Sequence, residues 1–417
     1  MKTPTHSFAH PPQILRSAWR SLVATLVGAS LAVGCGGGGS GSSSGVDTGG
    51  TGAAALSFSA GRIAGFGSII VNNVRFDDAT ARVVDDNGIA HDRGDLKLGM
   101  QTQVQAGPVT TDAAGVATAK ATTIEFGSQV RGPVQAVDAA GATFVVLGQS
   151  VKVDAATLFD GFPGGLGSVA AGNLVEVYAF FDRTTATYTA TRLELKTSLA
   201  DYKVVGVVSA LNSGAQTFLI GSATIGYASV PTAALAALAN GVVVRAHLQT
   251  VQQGTVWIAT TLAFDTPAVS DGAQTDVEGF ITDFAGTGRF KVGGVAVDAS
   301  APGVLFRSGS AAQLANGVRV EVEGVTRAGV LTAIRIDVKS SGGGDQQFEL
   351  HGAIESVNPA DRSFVLRGTT VTYGSGTRFD NGTAANLAEL PAPLVEVKGA
   401  LSTTGNQLVA ARIKFEH

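Results

Sequence analysis

Residues 289–297 read RFKVGGVAV, and residues 314–324 read LANGVRVEVEG. In both stretches every second residue is apolar, which is the period of a β-strand with one buried face. The two glycines of the first stretch divide two short strands, and Asn-Gly in the second stretch precedes another strand. Val and Phe suit a pleated, half-buried surface. The two stretches therefore predict a small domain built from short β-strands.

The same pattern recurs along most of the chain. A strand-like opening with a glycine between apolar residues returns at spacings of 71, 74, 73 and 73, at Gly61, Gly132, Gly206, Gly279 and Gly352. A phenylalanine then opens an alternating run in four of the units, at Phe144, Phe218, Phe290 and Phe364. Because these phenylalanines share one register, we interpret them as core residues and not as a platform for stacking a ligand.

The order of elements within one unit indicates the fold. Three strands are followed by a short Ala/Leu segment of one to two helical turns, capped by glycine, and then by two more strands. This order is that of the OB-fold, and closure into a barrel removes exposed strand edges. We predict an all-β chain of five tandem, five-stranded, OB-like barrels; other small barrels or sandwiches are the alternative. Gly148 and Gly221 are expected at bulges or tight corners.

The repeat gives the expected domain boundaries. We name the units module 1 to module 5, and they cover residues 58–127, 128–197, 198–265, 266–340 and 341–417. Only residues 340–344 read as a loose linker between modules. A domain of about 70 residues buries a modest core, so contacts between neighbouring modules should contribute to stability.

The first 34 residues read as a signal peptide for export. A cationic, polar start precedes an apolar run of 13 residues, Ser21 to Val33. This run is too short for a membrane-spanning helix, which needs about 20 residues. The segment LAVGC ending at Cys35 resembles the lipobox of bacterial lipoproteins. An ordinary signal peptide followed by an unrelated cysteine is the alternative.

A lipid anchor at Cys35 is therefore predicted, followed by a flexible Gly/Ser tether over residues 35–57. Acyl chains on this cysteine would attach the protein to a membrane. Sorting rules for such lipoproteins imply the outer membrane, because Gly36 and not Asp follows the cysteine. We expect an exported, anchored protein at the periplasmic face or the cell surface.

Composition narrows the classes of partner. Apolar residues make up 45% of the chain and charged residues 15%, which is typical of a folded protein. The net charge is −4, and removal of the first 34 residues with Lys2, Arg16 and Arg20 takes it to −7. This charge argues against nucleic acid as a partner, which is bound by a basic face. A single cysteine excludes an intramolecular disulfide.

The sequence offers no motif for catalysis. His91, His247, His351 and His417 fall at separate places without metal-ligand spacing, and we predict no catalytic residue, metal or cofactor. The acidic stretch 84–95, VDDNGIAHDRGD, reads as a turn or solvated loop, with a cation site as the alternative. Aromatic residues make up only 6% of the chain, so few side chains are available to stack on sugars or bases.

The repeated unit resembles a known family. The openings at the repeated glycines, the Phe-led hairpin, the Thr-x-Phe step and the closing Ala-rich strand are similar to the bacterial family "domain of unknown function 5666". The resemblance implies a secreted or lipid-anchored protein with tandem small β domains, and it implies no activity. Module 1 resembles the family most closely, and the resemblance extends over nearly the whole chain after the signal peptide. Gly65, Asn72, Asn73 and Arg75 of module 1 are the candidate binding surface.

Two classes of function follow from these observations. The first is a non-catalytic cell-envelope lipoprotein whose modules, in series, form a spacer rod or a scaffold for an envelope protein or polysaccharide. The second is a protein that binds a glycan or small ligand in the periplasm or at the cell surface. An enzyme of unknown type is a remote third.

Replacement of the predicted lipid-attachment residue tests the anchor. Cys35→Ala should leave the protein uncleaved or soluble, because no thiol remains for acylation. Partitioning of the expressed protein between aqueous and detergent phases measures the change. Unchanged recovery of the variant in the detergent phase would rule the anchor out.

Overall fold

The computed structural model describes residues 56–264, 267, 269–340, 346–389 and 391–416, and in this part of the chain the protein is all-β. The predicted signal peptide, Cys35 and the tether up to residue 55 lie outside the described residues. Helical structure within the described ranges is limited to five 3₁₀ segments, Arg93–Asp95, Gly165–Ser168, Thr232–Leu235, Ala311–Gln313 and Ala384–Ala388. The predicted Ala/Leu turns are thus 3₁₀ turns. Among the residues described, no helix has the length and apolarity that a membrane crossing requires.

Module 1 shows how the barrel closes. Its strands are β1 (Ser57–Phe66), β2 (Ile69–Val71), β3 (Val74–Asp77), β4 (Arg82–Asp85), β5 (Ala90–His91), β6 (Gln101–Ala106), β7 (Thr110–Thr111) and β8 (Ala117–Phe126). Antiparallel pairing joins β1 to β2, β2 to β3, β8 to β6 and β6 back to β1. Parallel pairing of β3 with β8 completes the circuit. This is the strand order expected for an OB-like barrel.

Modules 2 and 3 repeat the circuit. Module 2 contains β9 (Val130–Asp138), β10 (Thr143–Val146), β11 (Gln149–Lys152), β12 (Leu158–Asp160), β13 (Leu174–Asp182) and β14 (Thr187–Lys196). Module 3 contains β15 (Tyr202–Val207), β16 (Ser209–Asn212), β17 (Thr217–Ile220), β18 (Ala223–Gly226), β19 (Val243–Leu248) and β20 (Val256–Ala263). In each, the third strand runs parallel to the last, β11 with β14 and β18 with β20.

Modules 4 and 5 follow the same order. Module 4 contains β21 (Gln274–Thr282), β22 (Phe290–Val292), β23 (Val295–Asp298), β24 (Leu305–Ser308), β25 (Arg319–Arg327) and β26 (Val330–Val338). Module 5 contains β27 (Phe348–Ala353), β28 (Ser356–Asn358), β29 (Ser363–Leu366), β30 (Thr369–Thr372), β31 (Arg378–Asp380), β32 (Leu394–Leu401) and β33 (Leu408–Glu416). The all-β class with small five-stranded closed barrels is confirmed, while the module boundaries stay a prediction.

The repeated phenylalanines lie in the cores. Phe144, Phe218, Phe290 and Phe364 are each exposed by 1% or less. In the β22–β23 hairpin, Phe290, Val292 and Val297 point inward, and Lys291 and Ala296 lie between them on the half-buried side. Alternation in the sequence therefore becomes alternation between core and surface, as the period of a strand requires.

Strand pairing also joins different modules. The first half of β1 pairs in parallel with β21 of module 4, and its last two residues pair with β27 of module 5. In the same way β9 of module 2 pairs with β15 of module 3. The expected rod of modules in series is therefore wrong, because module 1 contacts modules that lie far from it in the sequence.

The buried apolar clusters also extend across the contacts between modules. Modules 1 and 5 share one cluster of buried side chains, which includes Ile63 and Ile413, and modules 2 and 3 share a second, which includes Phe144 and Phe218. Module 4 holds a third, to which Phe58 of module 1 contributes. Neither one continuous core nor five separate cores describes the packing.

The glycines expected at tight corners lie where two modules touch. Gly148 and Gly221 have φ values of +73° and +56°, which favour glycine, and each sits in the turn of a hairpin. A Cβ atom on Gly148 would come within 2.8 Å of the backbone nitrogen of Ala223, and one on Gly221 within 2.5 Å of Gln149 Oε1. Both glycines thus permit the turn and the close approach of modules 2 and 3.

A truncation of a core phenylalanine tests the shared register. Phe290→Ala should lower the free energy of unfolding by about 3–5 kcal/mol, because it leaves a cavity in the core of module 4. Denaturant unfolding measures the change, and Ile334→Ala in the same module is the control, since Ile334 is 51% exposed. The control should change the free energy by about 0.5 kcal/mol or less. Similar small effects of both substitutions would contradict the assigned core.

Candidate functional site

A polar cleft of about 380 Å³ lies where modules 1, 2 and 3 meet, and we call it the three-module cleft. Its lining carries six carboxylates, which belong to Asp85, Asp86, Asp95, Asp160, Glu176 and Glu194. Basic side chains from all three modules face these carboxylates. Clefts with several convergent polar groups are the usual places to look for binding or catalysis.

Module 1 contributes a tight turn to the cleft. Asp85 ends β4, and its Oδ1 accepts hydrogen bonds from the backbone N–H groups of Asn87 and Ile89, both at 2.9 Å. Burial acts to raise the pKa of Asp85, but these backbone donors and His91 hold it below its usual value. The acidic stretch 84–95 therefore does form a turn, as the sequence predicts.

Asp86 of the same turn is not solvated. Its Oδ2 lies 2.7 Å from Lys203 Nζ and 3.4 Å from Arg245 Nη1, both of module 3. The Lys203 side chain is only 3% exposed and that of Asp86 12%. Burial lowers the pKa of Lys203, and the charge of Asp86 opposes this shift. A buried ion pair therefore fixes the acidic turn of module 1 on module 3.

The wall of the cleft formed by modules 2 and 3 is a row of paired charges on neighbouring strands. Arg131 contacts Asp201, and Asp201 Oδ2 lies 2.6 Å from His247 Nδ1. Lys196 Nζ lies 2.9 Å from Glu176 and 2.6 Å from Glu194.

The row continues at its other end through Arg192, which contacts both Glu194 and Asp160 and also donates to the Leu98 carbonyl of module 1 at 3.1 Å. Burial acts to raise the pKa of Glu194, but Arg192 and Lys196 hold it below its usual value. The ionisable groups of this wall therefore neutralise one another.

Each histidine within the described residues lies beside a carboxylate. His91 has Nε2 at 3.5 Å from Asp85 and Nδ1 at 3.4 Å from Asp95. His351 Nε2 lies 2.8 Å from Glu416. None of these imidazoles, nor that of His247, forms a hydrogen bond with a Ser, Thr or Cys side chain in the portion that the structure describes. His417 falls outside that portion.

The three histidines also belong to different modules, so the arrangement brings no two of them together. Across the described ranges, no group of three or more His, Cys, Asp or Glu side chains is placed to hold a metal ion. What the geometry of the cleft does provide is a set of charge-paired contacts between three modules.

The candidate binding residues of module 1 lie mainly in contacts with other modules. A Cβ atom on Gly65 would come within 2.4 Å of the Glu349 carbonyl oxygen, so glycine permits the approach of β27. Arg75 Nη2 lies 2.6 Å from a carboxylate oxygen of Glu349. Asn72 is buried and donates to the Asp276 carbonyl of module 4 at 3.2 Å. Only Asn73 is exposed. The four residues therefore do not form one open surface, and a binding role for them stays a prediction.

Sequence reasoning missed the residues that build the three-module cleft. Lys203 stands on a strand of module 3, and Arg131 and Glu176 stand on two strands of module 2. Each alone reads as an ordinary exposed position of an alternating strand. The sequence feature that could have pointed to the cleft is the acidic stretch 84–95, because its carboxylates need counter-charges if another module covers the loop. Trp257, an aromatic residue of the kind that could stack on a sugar or base, is buried: it is 7% exposed and packs edge-on against Tyr202, with ring centroids 5.5 Å apart.

Removal of one member of the buried pair tests the role of the cleft. Asp86→Asn should lower the free energy of unfolding by about 3 kcal/mol, because Lys203 is left buried without its counter-charge. The double variant Asp86→Asn, Lys203→Met should recover most of this loss in a double-mutant cycle. As the control, Asp283→Asn removes a pair with Lys291 whose side chains are 55% and 43% exposed, and should change stability by less than about 1 kcal/mol. Equal losses at Asp86 and Asp283 would contradict a buried contact.

Three regions of the chain match a known protein family. Residues 131–194, 278–337 and 351–414 match the family model described as "Domain of unknown function (DUF5666)". These ranges fall within modules 2, 4 and 5, each over most of its barrel. No curated protein matches the chain. The resemblance seen in the sequence is thus confirmed over modules 2, 4 and 5, and the chain carries tandem copies of the DUF5666 domain.

Proposed function

We propose that this protein is a non-catalytic, lipid-anchored protein of the cell envelope, whose interlocked β modules act as a scaffold for an envelope protein or polysaccharide. The observation that carries the proposal is the use of charged and polar side chains in contacts between modules. Lys203, Arg131 and Arg192 each bind a carboxylate, and Arg192 also holds the backbone of another module. Such contacts hold several domains in fixed positions.

The surface of the barrels supports a partner larger than a single sugar or metabolite. OB-folds bind oligosaccharides and single strands on the face of their second and third strands, usually with aromatic side chains. In module 4 the corresponding outward residues are Lys291 and Ala296, and in module 5 they include Val365 and Thr370. These side chains give little area for stacking a ring.

Export and anchoring belong to the same proposal. The apolar run from Ser21 to Val33, Cys35 and the Gly/Ser segment that follows are its support. An acylated Cys35 would hold the modules about 25 Å from a membrane, because a flexible Gly/Ser chain of about 20 residues spans that distance. The scaffold would then lie beside other components of the envelope.

Binding of a small ligand in the three-module cleft is the second candidate. One observation favours it: His91 Nε2 is buried at the cleft, and its closest charged contact is a long one, 3.5 Å from Asp85. A small polar molecule that accepts or donates at this nitrogen would stabilise the folded protein in a saturable manner. A scaffold for large partners would not respond to such molecules.

Photo-crosslinking in intact cells separates the two candidates. A photoreactive residue is placed at Val251, Leu305 or Val409, which are 72%, 59% and 47% exposed and lie in modules 3, 4 and 5. We expect at least one position to form a discrete adduct with an envelope protein or polysaccharide. The adduct should weaken or disappear in the Cys35→Ala background, because the chain then lacks the acyl anchor that would hold it beside its partner.

The same experiment contains its own control. A photoreactive residue in place of the buried Phe218 should give no adduct with a partner. Absence of adducts at all three exposed positions, together with saturable thermal stabilisation by a small polar molecule, would contradict the scaffold and support the second candidate.

A further inference from the structure

The seam between modules 1 and 4 contains a buried carboxyl group. Asp276 lies on β21, opposite Ser59 in the parallel pairing with β1 and opposite Glu323 in the antiparallel pairing with β25. Its side chain belongs to a residue that is only 8% exposed. The carboxyl group therefore lies in the contact between two modules and is not open to solvent.

The charges around this carboxyl group are mostly acidic. Asp276 faces Glu323, and two residues along the strand Glu278 faces Glu321, so that two pairs of like charges oppose each other on β21 and β25. Like charges directly opposite in a sheet destabilise it when both are ionised. The seam thus gathers four carboxyl groups within two adjacent strands.

The nearby cations are already paired with the other carboxylates. Arg319 Nη2 lies 2.7 Å from Glu278, and Lys339 Nζ lies 2.6 Å from Glu321 and 3.0 Å from Asp337. Glu323, directly opposite Asp276, is in contact with Arg335. No ion pair joins Asp276 to a basic side chain within residues 56–264, 267, 269–340, 346–389 and 391–416.

Two further charged groups complete the surroundings. Arg62 of β1 acts on Glu278, and burial lowers the pKa of Arg62 to about 10. Module 2 contributes Asp154, 4.0 Å from Arg319 Nη1. Both groups lie toward the Glu278–Arg319 pair, so neither supplies Asp276 with a counter-charge.

The one side-chain donor to Asp276 that the described residues provide is weak. Asn72 Nδ2, from the turn between β2 and β3, lies 3.3 Å from Asp276 Oδ1. The same amide nitrogen lies 3.1 Å from the Ala60 carbonyl and 3.2 Å from the Asp276 carbonyl. Because two amide hydrogens serve several acceptors, little of their strength remains to stabilise an ionised carboxylate.

We propose that the Asp276 side chain is neutral at neutral pH and acts as a pH-sensitive latch: the seam between modules 1 and 4 is tight while this carboxyl group holds its proton and loosens when the proton leaves. Loss of the proton places a negative charge in a buried contact that already contains Glu321 and Glu323. This latch does not depend on the proposed scaffold function.

The direction of the pH dependence follows from the pKa values. Burial raises the pKa of Asp276 well above its usual value, and Glu321 and Glu323 raise it further, while the charge of Lys339 acts against this shift without reversing it. In the unfolded chain the group ionises in the ordinary range of aspartate. The folded state is therefore favoured most below that range, and stability falls as pH rises toward the raised pKa of the folded state.

A pair of neighbouring substitutions tests the latch. Asp276→Asn mimics the neutral carboxyl group, so it should raise the thermal midpoint at neutral and alkaline pH and reduce the loss of stability with rising pH. Glu278→Gln is the matched control on the same face of β21. It should lower the midpoint, because burial acts to raise the pKa of Glu278 but Arg319 holds it below its usual value, which marks an ionised partner.

Opening of the seam itself is measured by thiol labelling. Ser59→Cys in a Cys35→Ala background provides a single thiol at a position that is 2% exposed and opposite Asp276. The labelling rate, corrected for the ionised fraction of a free thiol, should rise about tenfold for each unit of pH below the raised pKa, since one unit changes the ionised fraction tenfold. Addition of Asp276→Asn should remove this rise.

The carbon-13 chemical shift of the Asp276 carboxyl group in the otherwise unaltered chain gives a reading that needs no substitution at this site. A shift typical of a protonated carboxyl group at neutral pH supports the latch. A shift typical of an ionised group, a corrected labelling rate that is constant with pH, or destabilisation by Asp276→Asn equal to that by Glu278→Gln would each overturn it.

Discussion

The pairing of strand β1 on both of its edges is the constraint on which the rest of the structure depends. Over Ser57–Ala60 this strand has β6 of its own barrel on one side and β21 of module 4 on the other. At its other end, Ile63 and Gly65 pair with β2, and Gly65 and Phe66 pair with β27 of module 5. A strand edge that a bent barrel would leave open is thus covered by another module. One strand therefore determines the positions of three barrels.

Modules 2 and 3 are also joined by strand pairing, between β9 and β15, and charged side chains lie along this junction. Where β9 meets β15, the sheets of modules 2 and 3 become continuous, and cross-strand neighbours place Glu176, Arg131, Lys203 and His247 side by side. This row would be solvated on an isolated barrel. Here the acidic turn of module 1 covers part of it, and Asp86 supplies the counter-charge for Lys203. Burial of ionic groups between modules makes the relative position of the modules specific, because a displaced module would leave charges unpaired.

The sequence predicted what depends on local periodicity and missed what depends on distant pairing. The alternation around Phe290, the turns at Gly148 and Gly221 and the OB-like strand order all follow from neighbours within one unit, and the structure has them. The parallel pairing of β1 with β21 carries no local mark, since an exposed edge and a paired edge can have the same alternation. Gly65 illustrates the difficulty: it read as part of a binding surface, but its missing Cβ makes room for the Glu349 carbonyl of module 5. The residues of the three-module cleft were hidden for the same reason, because Lys203 and Asp86 are 117 positions apart.

Hydrogen exchange at the amide of Gln274 tests the interlocked arrangement most directly. This N–H donates over 2.9 Å to the carbonyl of Leu56, the residue directly before β1, so the bond exists only while β1 lies against module 4. We expect Gln274 to exchange as slowly, relative to its intrinsic rate, as amides in the core strands of module 4 such as that of Val297. Exchange of Gln274 near its intrinsic rate, with Val297 still protected, would mean that module 4 does not hold module 1, and would contradict the interlocked arrangement.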